Sequence, residues 1–237
     1  MNLFRALISL DRGRRFLLAN PEMAPWDFKI FGERGADLPA GQYFAEMFSS
    51  EHVVLSPSEV GARISHMRAL SSFLQSDREH CLVLEDDVYV DCHRLRKLTN
   101  DLNADFDFYH LGGLDGLRVS SIFGKLNGLD HPTKLSKTQV AVLWRACGYL
   151  VNRRAAESIL LAQATSVLVA DNWARLICSG NITAAYYHCV SHPEVLTESS
   201  IEGERLSLEK LRSYAWIKNF SRRIRTVKAL YLSRWFS

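Results

Sequence analysis

The sequence predicts an α/β fold built on a mostly parallel sheet, and three observations carry that reading. Short apolar runs that suit buried strands alternate along the chain with segments of helical spacing, the pattern of strand–helix–strand units. One of those runs, Cys81-Leu-Val-Leu84, stops abruptly in three carboxylates, Glu85-Asp86-Asp87. The edge of a sheet, where such a run ends, is where open α/β folds bind ligands. The composition fits a buried core: 237 residues, 47% hydrophobic and 23% charged. That excludes a disordered, collagenous or low-complexity chain.

Taken in order, Leu3-Phe-Arg-Ala-Leu-Ile-Ser-Leu10 reads as a first strand, followed by the basic stretch Asp11 to Arg15. Ser56-Pro-Ser-Glu59 reads as a helix start, with Ser56 as N-cap, Pro57 in the first turn and Glu59 closing a capping box. Ile64, Met67, Leu70, Phe73 and Leu74 then recur at helical spacing. Cys81 to Leu84 follows as a buried strand. Phe106 to Leu111 is a further strand ending in Gly112-Gly113, where small residues suit either a tight turn or close backbone approach to a ligand. The stretch from Leu114 to Lys137 lacks periodicity and reads as one long loop. Cys147 to Val151 is a strand, Asn152 caps a helix over 153–162, a short helical stretch covers 172–177, and Ile182 to Val190 is the last strand before His192-Pro193.

No run of about 18 apolar residues is present for a transmembrane helix, and the first residues lack the apolar core and cleavage site of a secretory signal. The five cysteines, at 81, 92, 147, 178 and 189, form no C-x-x-C pair. Their number and spacing argue against a disulfide framework and a cysteine zinc site, and for a reducing, cytoplasmic compartment. Sequons at Asn181 and Asn219 would then be chance matches.

The acid triplet is the sharpest chemical signal. In a continuing strand Glu85 and Asp87 would share one face with Asp86 opposite. Two oxygen donors at a sheet edge suit a hard divalent cation that completes its shell with phosphate oxygens. A solvated acidic turn paired with nearby Arg or Lys is the competing reading. Two histidines near the last strand, His188 and His192, offer imidazole to such a cation, although oxygen ligands suit Mn²⁺ better.

The ordered set Leu55-Ser-Pro-Ser-Glu-Val-Gly-Ala-Arg-Ile-Ser-His66, Leu82-Val-Leu-Glu-Asp-Asp-Val88 and Gly148-Tyr-Leu-Val-Asn-Arg-Arg-Ala-Ala156 resembles glycosyltransferase family 25. These are enzymes of lipooligosaccharide biosynthesis, related to collagen galactosyltransferases. Weaker matches in the same order are Ile8-Ser-Leu-Asp-Arg12, Val169-Ala-Asp171, Pro193 and Ser200-Ile201. The resemblance implies a GT-A-like, Rossmann-like nucleotide-sugar domain over residues 1–203, with the acid triplet as its metal and donor motif. It implies inverting transfer of galactose or glucose from a UDP-sugar, with Mn²⁺ or Mg²⁺, to a glycolipid or oligosaccharide acceptor. By the same resemblance Asp87, Glu85 and His192 would bind metal. Glu85, Asp86, Ser65, His66, Arg12 and, more weakly, Glu59 would contact the donor.

Inversion needs a base for the acceptor hydroxyl. Asp171 is the first candidate and Asp115 the second. A helix N-cap is the structural alternative for Asp171, and the capping box is the structural alternative for Glu59.

The charge is uneven. Residues 204–237 hold nine Lys/Arg against two acids, so the net +3 of the chain hides an acidic body and a basic extension. Trp216, Phe220, Ile224, Val227 and Tyr231 fall on one helical face beside five basic residues. This reads as an amphipathic helix on an anionic membrane surface, worth about 1 kcal/mol per basic residue, and places the enzyme on the inner face of the membrane. A packed C-terminal helix is the plainer alternative, and no nucleic-acid motif supports a nucleic-acid partner. A catalytically silent homologue that serves as a scaffold in surface-glycan assembly is the rival function.

Overall fold

The computed structural model describes residues 3–48, 54–102, 105–177 and 181–193. The basic extension 204–237, Ser200-Ile201, Cys178 and the sequon at Asn219 lie outside them.

The chain opens with β1 (Leu3–Ile8), α1 (Arg14–Ala19), β2 (Lys29–Phe31) and α2 (Ala40–Met47). It continues through α3 (Pro57–Leu74), β3 (His80–Glu85), β4 (Tyr89–Val90), α4 (Cys92–Asn100) and β5 (Phe108–Gly112). Then come α5 (Ser120–Phe123), β6 (Thr133–Lys134), α6 (Lys137–Val140) and β7 (Gly148–Asn152). The described part ends with α7 (Arg153–Thr165), α8 (Trp173–Leu176) and β8 (Ala184–Ser191).

The strands form one sheet in the order β2-β1-β3-β7-β5-β8-β4, with β6 added to β8. Strands β1, β2, β3, β5 and β8 run one way, and β7, β4 and β6 run against them. The expected α/β class and the predominant strand direction therefore hold. The consequence for function is geometric: the carboxyl ends of β1, β3, β5 and β8 and the start of β7 share one edge.

Alternation along each central strand feeds two apolar layers. Cys81 and Val83 face the cluster containing Phe73 of α3 and Ile159 of α7, while Leu82 and Leu84 face Phe16 of α1 and Leu95 of α4. The strand is buried on both faces, as its unbroken apolar run predicts. Helix α3 begins with the predicted capping box: the Glu59 amide donates to Ser56 Oγ at 3.2 Å and the Ser56 amide donates to Glu59 Oε2 at 2.8 Å. Deep in that helix, Arg63 donates from Nε to Gln163 Oε1 of α7 at 2.7 Å and pairs with Glu46 of α2. Asn152 caps α7 through the Ala155 amide.

Several sequence expectations need correction. The stretch 114–137 is not one loop, because α5, a 3-10 turn over Gly124–Leu126 and β6 interrupt it. These pieces are too short for a periodic signal, and tertiary burial of Ile122 and Phe123 holds them. Elements α1, β2 and α4 also carry no expectation from sequence. The four described cysteines are free and buried, as expected for unpaired thiols. No helix among the described residues is long and apolar enough to cross a membrane.

His110 on β5 is fully enclosed. Its Nε2–H donates to the carbonyls of Trp144 and Arg145 at 3.1 and 3.2 Å, and Nδ1 accepts the Gly112 amide at 3.4 Å. Burial drives its pKa from 6.5 down to about 4, against the pull of those carbonyls and of Asp171. The unfolded chain therefore binds this proton more tightly than the folded one. The stabilising contribution is complete above about pH 6.5 and is lost as pH falls toward about 4, a change of about 3 kcal/mol. Urea denaturation across this window should show that slope, and His110→Gln should flatten it.

Candidate active site

The acid triplet sits where β3 leaves the sheet. Glu85 is the last strand residue, in register with Ile8, and its amide still donates to the Cys147 carbonyl at 2.9 Å. Asp86 and Asp87 already belong to a turn. Alternation stops with the strand, so Glu85 and Asp87 do not share partners as a continuing strand would require. Glu85 Oε1 accepts from His66 Nε2–H at 3.1 Å, and His66 Nδ1 accepts from the Tyr149 hydroxyl at 2.9 Å. Asp87 Oδ2 meets His192 Nε2 at 3.2 Å. The Asp86 side chain meets the Ser9 hydroxyl and lies within electrostatic reach of Asp11 and Arg15.

All three acids line one cavity of about 590 Å³ with Ser9, Asp11 and Arg15 after β1, Arg34 in the loop after β2, and Ser65 of α3. The loop over residues 32–36 forms one wall, pressed onto α3 by two glycines. A Cβ on Gly35 would lie 2.0 Å from the Pro57 carbonyl oxygen, and one on Gly61 would lie 2.3 Å from that of Glu33. Ser65 fixes the same wall: its Oγ accepts the Glu33 amide at 2.9 Å and donates to the Gly61 carbonyl at 2.8 Å.

Charge in this cleft is unequally compensated. Burial and the neighbouring Asp87 and Asp11 carboxylates push the Asp86 pKa up, against the Ser9 hydroxyl. Burial acts the same way on Asp87, but the His192 hydrogen bond, the His192 charge and Arg15 outweigh it and hold the carboxyl below its ordinary value. His192 is correspondingly raised: burial lowers it, and the bond and charge of Asp87 more than reverse that. Its Nδ1–H donates to the Pro193 carbonyl at 2.8 Å, so Nε2 faces the carboxylate favourably as a second N–H. The other oxygen of Asp87, Oδ1, is buried and has no hydrogen-bond partner.

A second line of contacts leads away from Asp87 along the same edge. The His192 amide donates to Asp115 Oδ2 at 2.9 Å. Arg145, just before β7, donates from its guanidinium to the carbonyls of Gly113 and Asp115 at 2.8 and 3.0 Å. The Arg145 amide donates to Asp171 Oδ2 at 3.2 Å, and the Arg145 carbonyl accepts from Trp173 Nε1 at 2.9 Å. This residue is held at φ 60°, a left-handed conformation that costs a non-glycine residue about 1 kcal/mol or more.

The predicted residues therefore divide. Glu85, Asp86, Asp87 and Ser65 line the cavity, and His66 stands behind Glu85. Asp115, Asp171 and His192 are joined through Arg145 and the β5–β8 edge. Glu59 is engaged in the cap of α3 and does not line the cavity. Arg12 lies in a neighbouring surface groove with Arg14, Leu18 and Tyr89. Asp171 is not the cap of α8, because Asn172 holds that position.

Glu85, Asp87 and His192 do not converge: among the described residues no group of three His, Cys, Asp or Glu side chains could hold a metal. Sequence reasoning missed Arg145, Tyr149, Ser9, Arg15 and Arg34. The basic stretch after the first strand signalled Arg15, and the family-like segments contain Ser9 and Tyr149 without singling them out.

Removing the Arg145 guanidinium while keeping its backbone tests its part. Arg145→Gly should preserve the left-handed turn and lower turnover at least tenfold. Arg145→Ala should lower turnover similarly and be less stable than the glycine variant by about 1 kcal/mol. Thermal melts and turnover on the two purified variants check this.

The family profile of glycosyltransferase family 25 (LPS biosynthesis protein) matches residues 33–173. No curated protein sequence matches the chain. Among solved structures, a glycosyltransferase involved in the glycosylation of the major capsid of PBCV-1 aligns at 8% identity, covering 88% of this chain and 98% of that one, with a TM-score of 0.42. The galactosyltransferase LgtC, in complex with donor and acceptor sugar analogs, aligns at 15% identity over 77% and 72% of the two chains, with a TM-score of 0.36. The inositol-1-phosphate CTP transferase from T. maritima aligns at 8% identity over 87% and 94%, with a TM-score of 0.43. The family match spans more than half the sequence, from the wall of the cavity through the acid triplet to Asp171, and on that match the chain belongs to glycosyltransferase family 25.

Proposed function

We propose that the chain is an inverting glycosyltransferase that moves a hexose, galactose or glucose, from a UDP-sugar to a glycan acceptor of the lipooligosaccharide type. The observation that carries the reading is the single cavity lined by three successive carboxylates together with Arg15 and Arg34. Its volume lies within the range of small-molecule sites. The proposed catalytic unit is a GT-A-like domain over residues 1–203, with 204–237 as a basic extension toward an anionic membrane surface.

The residues fit a divalent cation of the kind that takes one or two carboxylates and leaves the rest of its shell to phosphate oxygens. The buried, unpartnered Asp87 Oδ1 is an orphaned acceptor of the required kind, and Asp86 is its neighbour in the same cavity. Asp87 with Asp86 would hold Mn²⁺ or Mg²⁺. When bound, such an ion neutralises charge developing on the leaving diphosphate. His192 supports the site as a hydrogen-bond partner of Asp87 rather than as a third ligand. Arg15 and Arg34 suit the donor's phosphate charge.

In the transfer step the acceptor hydroxyl oxygen attacks the anomeric carbon, its proton passes to a carboxylate base, and the bond from that carbon to the diphosphate oxygen breaks to release UDP. Asp171 is the favoured base. Its Oδ2 is oriented by the Arg145 amide, and its Oδ1 is left to the acceptor proton. Asp115 is held in the same way, with the His192 amide on its Oδ2, and stands as the second candidate base.

Thermal denaturation with UDP and UDP-hexoses, with and without Mn²⁺, tests the reading. A ligand at about 100 times its Kd adds about 2.7 kcal/mol, so a metal-dependent stabilisation is the expected outcome. Absence of any shift would favour the silent scaffold homologue. Asp87→Ala should abolish transfer with an unchanged melting curve. Asp171→Asn should lower kcat by at least a hundredfold while donor affinity stays within a factor of about two. An equal loss of donor binding would make Asp171 a donor-site residue.

A further inference from the structure

The groove beside the donor cavity differs from it in character. It is lined by Leu10, Arg12, Arg14, Arg15, Leu18 and Tyr89, and it shares Leu10, Asp11 and Arg15 with the cavity. Helix α1 builds half of it. Among the six residues of that helix only Phe16 turns into the core, so the rest of its surface is left to solvent.

Two properties coincide there. The first is apolar exposure: Leu18 is 85% exposed, Tyr89 55%, Leu10 52% and Leu17 41%. These are four of the eight large exposed hydrophobic residues in the described structure, and Leu10, Leu18 and Tyr89 gather in the groove. Such gathering marks an interaction surface, whereas scattered exposed residues need no explanation. The second is an excess of positive charge, Arg12, Arg14 and Arg15 against the single carboxylate of Asp11. Asp11, the acid of the groove, has its carboxylate occupied by the Ser9 hydroxyl at 2.7 Å and the Arg15 amide at 2.9 Å. Among the described residues neither Arg12 nor Arg14 forms an ion pair.

We propose that this face docks on an anionic lipid surface, with leucines and Tyr89 at the headgroup boundary and the arginines on lipid phosphates. Leucine from α1 and the loop before it, the Tyr89 ring from β4 and arginines meet on this groove, and such residues together suit a membrane interface. Charge excludes the other occupants within this chain. The 204–237 segment is itself strongly basic and is repelled by the arginines, and so is the same face of a second copy. Because the groove and the donor cavity share residues, docking brings the cavity mouth to the lipid surface, where a lipid-linked acceptor would be presented. Only that last consequence rests on the function proposed above.

The test is co-sedimentation of the full chain with vesicles of phosphatidylcholine mixed with phosphatidylglycerol, against phosphatidylcholine alone. Arg14→Ala should weaken partition onto the anionic vesicles about fivefold, and Leu17→Ala/Leu18→Ala should weaken it at least as much. Both variants alter exposed positions and should melt as the parent does. Partition equal to that of the parent in both variants would overturn the proposal and leave the basic extension as the membrane element. Loss, in Arg14→Ala, of binding to sialyllactose with no change in vesicle partition would overturn it in favour of a soluble anionic glycan. A parent dimer that the leucine variant dissolves would assign the face to self-association instead. The UDP-induced thermal shift, read on the same samples, reports on the donor reading separately, so either idea can fail alone.

Discussion

The position at which β3 ends governs the rest of the site. Strand β3 is hydrogen-bonded on both sides, to β1 and β7, and buried on both faces, so its backbone has no freedom until the ladder stops at Glu85. A carboxylate inside that run would be an unpaired buried charge, costing several kcal/mol. At its end, three can be tolerated, because each finds a different environment. Glu85 leans to α3 and His66, Asp86 to the end of β1, and Asp87 to the residue after β8. The sheet order brings those three partners to one edge, since β1, β3, β5 and β8 all finish there.

The direction of β7 supplies the other half of the site. Because it runs against its neighbours, its entry and not its exit lies at the functional edge, which places Arg145 there. The left-handed backbone of Arg145 is over-determined: His110 and Trp173 hold its carbonyl, Asp171 its amide, and the Gly113 and Asp115 carbonyls its side chain. Strain of this kind persists only where surrounding contacts enforce it, and such positions gather at functional sites. One residue thus ties the segment before α8 to the turn after β5. His110 matters to this edge because it is buried with no countercharge in contact, as a donor to two carbonyls of the same turn.

What the sequence disclosed follows the range of the interactions involved. The capping box of α3, the Asn152 cap of α7 and the apolar run of β3 depend on residues three or four apart, and each was legible. So was the acid triplet, whose chemistry is contiguous. The pairing of His66 with Tyr149 spans 83 residues and that of Asp87 with His192 spans 105; no local pattern encodes either. Alternation misled at Glu85 and Asp87 because the strand ends between them. Helix α1 escaped because its six residues are too few for a periodic stripe and direct one side chain inward.

The pairing within the cleft also defines what it suits. Asp87 has Oδ2 answered by His192, with the charge of Arg15 within electrostatic reach, while Oδ1 is buried without a partner. A buried carboxylate oxygen left bare is costly, and the fold bears the cost only because the sheet ladder fixes the turn. A rearrangement that satisfied Oδ1 from within the protein would need a donor, and the nearest imidazole is already committed through both nitrogens. Under the proposed function an external cation would meet the need at Oδ1 while His192 keeps Oδ2, and the phosphate oxygens accompanying it would suit Arg15 and Arg34 in the same cavity. On the function proposed above, the incomplete pairing of Asp87 and the two arginines of the same cavity describe one requirement, positive charge close to Asp87 with negative charge beyond it, which a metal–diphosphate pair would satisfy.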